Sequence, residues 1–217
     1  MEDSSNPKTQ LTVQELLALK DGSVIDTSTV DRLLATYQQL RETVHEQKQQ
    51  IETLQKAAST DVLTGLSNRR MFEKDLSRAL SVAKRHNRTH GLIIVDVDDF
   101  KAINDNLGHN SGDAVLQHVA NFLKRHTRPS DTVARLGGDE FAVILLELVS
   151  VHQAEAKAEE LMAEMQKSPC MIDGQPVQVR LSAGAYIFDG DAKSTKDIMD
   201  KADHAMYLQK QLHHGEN

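Results

Sequence analysis

An α/β domain built on a central sheet flanked by helices, and entered through a coiled-coil helix, is the fold class the 217-residue sequence predicts. Three observations predict it. After Asp61 the hydrophobic pattern reads α, β, α, β, β, α, β, β, α, and strands alternating with helices imply a mixed sheet with helices packed against it. Before Asp61, apolar residues recur at heptad spacing. The composition is globular, with 39% hydrophobic and 26% charged residues, while 4% aromatic residues and no Trp point to an aliphatic, helix-rich core.

The elements follow in order. Residues 1–9 read as disordered, and Thr12 to Glu15 match a capping box that opens a short helix ended by "KDGS". Residues 1–29 thus form a short, partly disordered segment, a possible regulatory helix too small to fold alone. In 30–58, Val30, Tyr37, Val44, Ile51 and Ala58 occupy one heptad position and Leu33, Leu40, Gln47 and Leu54 the other. A helix packed on its own domain is the alternative, but the strict spacing and the Gln/Glu/Lys-rich outer face favour a partner chain and a parallel homodimer. From 59 to 217 a single domain is expected. Helix "NRRMFEKDLSRALSVAKRHN" precedes strand "GLIIVDVD"; helix "SGDAVLQHVANFLKRHT" precedes a hairpin of Thr132–Leu136 and Phe141–Leu146 turned at Gly137 and Gly138. Helix "HQAEAKAEELMAEMQKS", a hairpin over "MIDGQPVQVRLSAGAYIF" and helix "TKDIMDKADHAMYLQKQL" complete the domain.

Charge narrows the partners. A net charge of −7, with no long Lys/Arg run, argues against nucleic acid but leaves room for an anionic small ligand screened by metal ions. The lone Cys170 offers no internal disulfide, and neither an apolar leader nor an 18-residue apolar run occurs. A cytoplasmic protein without membrane contact is expected.

Two stretches carry carboxylates where chemistry would use them. "LIIVDVDDFKAIND" ends a buried strand in Asp96, Asp98 and Asp99, and strand ends border the ligand crevice of α/β sheets. "ARLGGDEFAVIL" holds Asp139 and Glu140 at the lip of a core, where a plain solvated turn is the competing explanation. If strand and hairpin are neighbours, Asp96 and Asp139 could share Mg²⁺, which commonly bridges one or two carboxylates to substrate phosphates. Two such ions would serve phosphoryl transfer. The amides of Asp99 and Phe100 at a helix start, with Lys101, could hold phosphate oxygens, although Asp98 and Asp99 also suit the helix dipole. Asn104 and Asp113 can read a guanine edge or act as cap and turn residues.

"DVLTGLSNRR" at 61–70, "DVDDFKAINDNLGHNSGD" at 96–113, "RLGGDEF" at 135–141, "LSAGAY" at 181–186 and "KADHAMY" at 201–207 together resemble the GGDEF family, the diguanylate cyclases, over residues 59–210. The resemblance implies a palm-like nucleotidyl cyclase fold with a mainly antiparallel sheet. It implies condensation of two GTP into cyclic di-GMP and two pyrophosphates across a homodimer. Asp96, Asp139 and the Val97 carbonyl would then bind Mg²⁺, with Mn²⁺ as the alternative and two ions per half-site, and Glu140 would be a further ligand or base. Asn104 and Asp113 would read guanine. Lys101, Lys210 and the amides of Asp99 and Phe100 would hold phosphates, and Gly137 and Gly138 would let the hairpin approach the nucleotide. Asp61 and Asn68 are expected to be structural, as turn and cap. "RPSD", Arg128 to Asp131, resembles the family's inhibitory product site, with a local Arg–Asp ion pair as the alternative. The chain departs from the family in "KQLHHGEN", where His214 or Glu216 stands in place of a phosphate-binding arginine. A silent sensor of cyclic di-GMP is the competing function; a hybrid cyclase using ATP is disfavoured by Asp113, which suits guanine N1–H and N2–H₂.

Overall fold

The structure, a computed structural model, describes residues 27–57, 59–150 and 152–214, with side chains described outside 51–57 and 212–214. The expectations for residues 1–26 lie outside the described residues, as do those for Ala58 and Glu216 and for the side chains of Ile51, Leu54 and His214. The chain divides after Lys56 into two units. The first holds all but the last residue of helix α1 (Thr27–Ala57), a single uninterrupted helix. Val30, Tyr37, Leu40 and Val44, all in the heptad positions, are 40–60% exposed.

The second unit is built on a five-stranded sheet of order β1-β3-β4-β2-β7. Its elements are β1 (Ser67–Asn68), α2 (Arg69–His86), β2 (His90–Val97), α3 (Phe100–Leu107), α4 (His109–Arg125), β3 (Thr132–Gly137), β4 (Glu140–Leu145), α5 (Gln153–Met165), β5 (Cys170–Ile172), β6 (Gln175–Val177), β7 (Leu181–Phe188) and α6 (Thr195–His214). β2 is flanked on both sides by antiparallel neighbours, β4 and β7, and only the β1–β3 pair is parallel. This is the mainly antiparallel sheet that the resemblance implies. All eight residues of β2 are buried, which explains why it reads as an unbroken apolar run rather than an alternating one.

The pleat of β2 sorts the core into two layers. Ile93, Val95 and Val97 pack with residues of α4 and α5, such as Val119 and Leu161. Leu92 and Ile94 pack on the other face with Phe72 and Leu76 of α2 and Ile198 and Ala202 of α6. Asp96, two residues beyond Ile94, shares the α2/α6 face by the period-2 rule.

The segment 171–188 departs from the expected single hairpin. Asp173 and Gly174, both with positive φ, close a two-residue turn between strands of only three residues, in a separate two-stranded sheet. Leu181–Phe188 then runs as an independent strand along the whole of β2. A turn signal settles only its own hairpin, whereas an apolar run that fits between two layers of helices is drawn into the central sheet.

Candidate active site

The candidate carboxylates gather at one end of the sheet because of strand register. Asp96, near the end of β2, lies opposite Glu140, the first residue of β4. The next residue along, Val97, donates its amide to the carbonyl of Asp139 at 3.3 Å. Strand and hairpin are therefore neighbours, which was the condition for Asp96 and Asp139 to share a cation. The hairpin turns through Gly138 and Asp139, with φ of 148° at Gly137 and 53° at Gly138; such values favour glycine.

Asp96 is 8% exposed and Asp98 9%. Asp98 is fastened: its Oδ1 accepts from the buried Ser182 hydroxyl at 2.6 Å, and its amide donates to the Arg180 carbonyl at 3.0 Å. The Lys210 ammonium, from the last turns of α6, donates to Oδ1 of Asp96 at 2.5 Å. Burial pushes the Asp96 carboxyl above the usual range, with Asp139 and Asp98 adding to the shift and Lys210 opposing it. Burial, then the charges of Asp96 and Asp203, push Glu140 up in the same way. Burial alone would pull Lys210 down, but its hydrogen bond to Asp96 and the charges of Asp96, Asp98 and Asp139 hold it above the ordinary lysine value.

Among the described residues no three His, Cys, Asp or Glu side chains form a ready-made cation cage. The donor set nevertheless suits a hard dication. Asp96, near the end of β2, and Asp139, in the turn whose carbonyl the Val97 amide bonds, are oxygen donors at one end of the sheet, and Asp96 already carries a cationic partner. Mg²⁺ needs no closed protein cage, since it keeps water and takes substrate oxygens as ligands.

Beyond Val97 the chain bends through Asp99, in the left-handed region at φ 53°, into α3. Asp99 and Lys101 are exposed, and Phe100 is half-buried against the core. A Cβ on Gly112 would sit 2.0 Å from the side-chain oxygen of Asn104, so α3 and α4 meet closely enough to set Asn104 beside the residue preceding Asp113.

Arg128 and Asp131 lie apart from this cluster, before the opposite end of β3, roughly 20 Å of strand away at about 3.3 Å per residue. No Arg–Asp side-chain pair forms between them among the described contacts. Asp131 instead caps two backbone amides, those of Arg128 at 3.0 Å and Leu146 at 3.2 Å. The exposed Arg128 and the half-buried Asp131 line a cavity of about 490 Å³ with Arg125, Lys157 and Glu160.

Asp61 and Asn68 are turn and cap. Asp61 accepts from the amide and hydroxyl of Thr64 at 2.9 and 2.6 Å, and Asn68 accepts from the Met71 amide at 3.0 Å. One residue escaped the sequence reading. Arg135 reaches back to Asp61 at 3.2 Å and forward to the Gly138 carbonyl at 2.7 Å, tying the domain entrance to the hairpin turn. Its signal was an arginine two residues before the glycines, facing inward on a strand otherwise apolar.

Comparisons agree with this geometry. Residues 58–216 match the family model described as diguanylate cyclase, GGDEF domain. The diguanylate cyclase TpbB of Pseudomonas aeruginosa is 42% identical over 158 residues, 73% of this chain and 36% of that protein. A cyclic di-GMP phosphodiesterase of the same organism, NbdA, is 34% identical over 73% of this chain and 20% of its own length. The chain thus spans about a third or less of these two relatives. Among solved structures, the coiled coil and GGDEF domain of DgcB from Caulobacter crescentus, in complex with c-di-GMP, superposes with a TM-score of 0.76 at 30% identity, covering 82% of this chain and 94% of that one. Matched over nearly three quarters of its length by family, sequence and fold, the chain belongs to the diguanylate cyclase GGDEF-domain family.

Proposed function

We propose that the protein is a diguanylate cyclase that condenses two GTP into cyclic di-GMP and two pyrophosphates, each subunit of a homodimer presenting one GTP. Family membership does not by itself decide this, since relatives are named both for making and for degrading cyclic di-GMP. The observation that carries the reading is the apposition of Asp96 with the Asp139–Glu140 turn, with Lys210 beside them.

In this reading Asp96, Asp139 and the Val97 carbonyl hold divalent cation, Mg²⁺ or Mn²⁺, with two ions per half-site. Such ions, when bound by these residues, would supply charge neutralisation for phosphoryl transfer. The protein's own groups do the rest. Asn104 and Asp113 hold the guanine edge, Asp113 accepting from N1–H and N2–H₂. The amides of Asp99 and Phe100, at the start of α3, and the ammonium groups of Lys101 and Lys210 hold phosphate oxygens. Gly137 and Gly138 leave room for the nucleotide against the hairpin. The 3′-oxygen of one GTP attacks the α-phosphorus of the other, the proton leaves to Glu140 or to solvent, and pyrophosphate departs. The same exchange in the opposite sense closes the ring. One half-site holds only one of the two reacting nucleotides, so the partner domain must be held face to face, and orientation of this kind lowers a barrier substantially. Arg128 and Asp131, with the cavity beside them, bind product and restrain turnover.

The test is pyrophosphate release from GTP and Mg²⁺ by nucleotide-free protein, wild type against Asp139→Asn. Loss of several kcal/mol of cation-mediated stabilisation predicts roughly a 10³-fold fall in turnover with an unchanged circular dichroism spectrum. Equal turnover would remove Asp139 from the metal site.

A further inference from the structure

The charge cluster at Asp96 contains a cation of its own, and the geometry makes that cation a competitor. Lys210 donates to Oδ1 of Asp96 at 2.5 Å, across a pair whose side chains are 36% and 12% exposed. Asp98 and Asp139 also act on the same ammonium. Asp98 has its own hydroxyl partner in Ser182, leaving Asp96 as the carboxylate the lysine occupies. Oδ2 of Asp96 stays open, but a dication seated on this carboxylate would place two positive charges within a few ångströms of each other in a partly dry site, and that repulsion opposes holding the ammonium and the ion together.

We propose that Lys210 occupies the cation seat at Asp96 in the nucleotide-free protein, and that the nucleotide's phosphates vacate it by offering the ammonium another partner. The inference rests on the proposed metal and phosphate roles of Asp96 and Lys210, and gives them an order. A divalent ion alone must displace the lysine into water and binds weakly. With the triphosphate present, the lysine moves to phosphate oxygens and Asp96 is released to the metal. Metal and nucleotide then favour each other's binding, and the coupling is reciprocal. A lysine is suited to this exchange: its ammonium is a compact point charge on a flexible stem, with no fixed fork geometry to hold it on the carboxylate. The sequence adds a reason for the site to depend on it, because the phosphate-binding arginine expected after Lys210 is replaced in "KQLHHGEN".

The experiment is Mn²⁺ binding to the full, nucleotide-free chain, read by loss of the free-ion electron paramagnetic resonance signal. The proteins are wild type, Lys210→Met, Lys210→Gln, Lys210→Arg and Asp96→Asn. Removing a charged hydrogen bond that must otherwise be broken predicts roughly tenfold tighter Mn²⁺ binding in Lys210→Met and Lys210→Gln. Lys210→Arg, which keeps the charge, stays near wild type. Two neutral variants support each other: either one, folded by circular dichroism and binding Mn²⁺ no more tightly than wild type, overturns the proposal. Asp96→Asn separates the two levels. If it binds Mn²⁺ as wild type does, the metal assignment itself fails; if it loses Mn²⁺ while the Lys210 variants are unchanged, only the competition fails.

Discussion

Gly112 decides where Asn104 can sit. A Cβ there would lie 2.0 Å from the Asn104 side-chain oxygen and 3.2 Å from the Phe100 ring, so an added methyl group displaces a flexible amide rather than backbone. Gly112→Ala is therefore expected to spare stability and to raise the KM for GTP about tenfold, the value of one lost polar contact of this kind, with a smaller change in kcat. Steady-state kinetics beside a melting curve checks it; an unchanged KM would remove Asn104 from the guanine site. Asp61 behaves differently, since its effects reach stability. Although burial opposes it, hydrogen bonds from Thr64 and the Arg135 guanidinium hold the Asp61 carboxyl below the usual range. A depressed carboxyl stabilises the fold above its unfolded pKa of about 3.9, and that contribution is lost as pH falls through the folded value. Wild type should thus exceed Asp61→Asn by about 1–3 kcal/mol at neutral pH, with the gap closing below about pH 4. Denaturant midpoints across pH measure this, and a pH-independent gap would contradict it. The motif residues were legible because each is named by its own short pattern. The Arg135 bridge was not, because its partner lies 74 residues earlier in the chain.

At the scale of elements, α6 is held unusually close to β7. A Cβ on Gly184 would fall 1.9 Å from the Met206 backbone nitrogen, so no side-chain adjustment relieves the clash. Gly184→Ala should push the helix outward at a cost of about 1–3 kcal/mol or more, and carry Lys210, one turn further along, away from Asp96. Chemical denaturation reports the cost, and a stability within error of wild type would mean that the helix is free to shift. The helices and β2–β4 were legible from period and turn signals. The short β1 was missed because two residues carry no periodicity, and β7 was merged into the preceding hairpin because its pairing with β2 is set by distant chain. Separating α3 from α4 required Gly108, whose φ of 83° breaks a stretch of continuous helical composition.

For the whole molecule, the sheet order puts β2 between β4 and β7, and so brings the DVD and GGDEF stretches side by side at one end of the sheet. That juxtaposition was inferred from sequence only as a condition. The second requirement of the proposed reaction, two sites facing each other, is one that the proposal gives to the exposed apolar stripe of α1. Leu40 and Val44 are 60% and 55% exposed in the single chain, so Leu40→Asp with Val44→Asp should leave the monomer folded while weakening association. Turnover per molecule of the double variant should be low at dilute protein and rise with concentration, as a bimolecular encounter requires. Concentration-independent turnover equal to wild type would remove the coil from the mechanism.

The measurement that bears most directly on the account is the product ratio from nucleotide-free protein given GTP and Mg²⁺, resolved by chromatography with mass detection. The account predicts cyclic di-GMP accompanied by two pyrophosphates for each molecule formed. Absence of cyclic di-GMP, in a protein that still binds added cyclic di-GMP, would contradict it and leave a sensor built on the same fold.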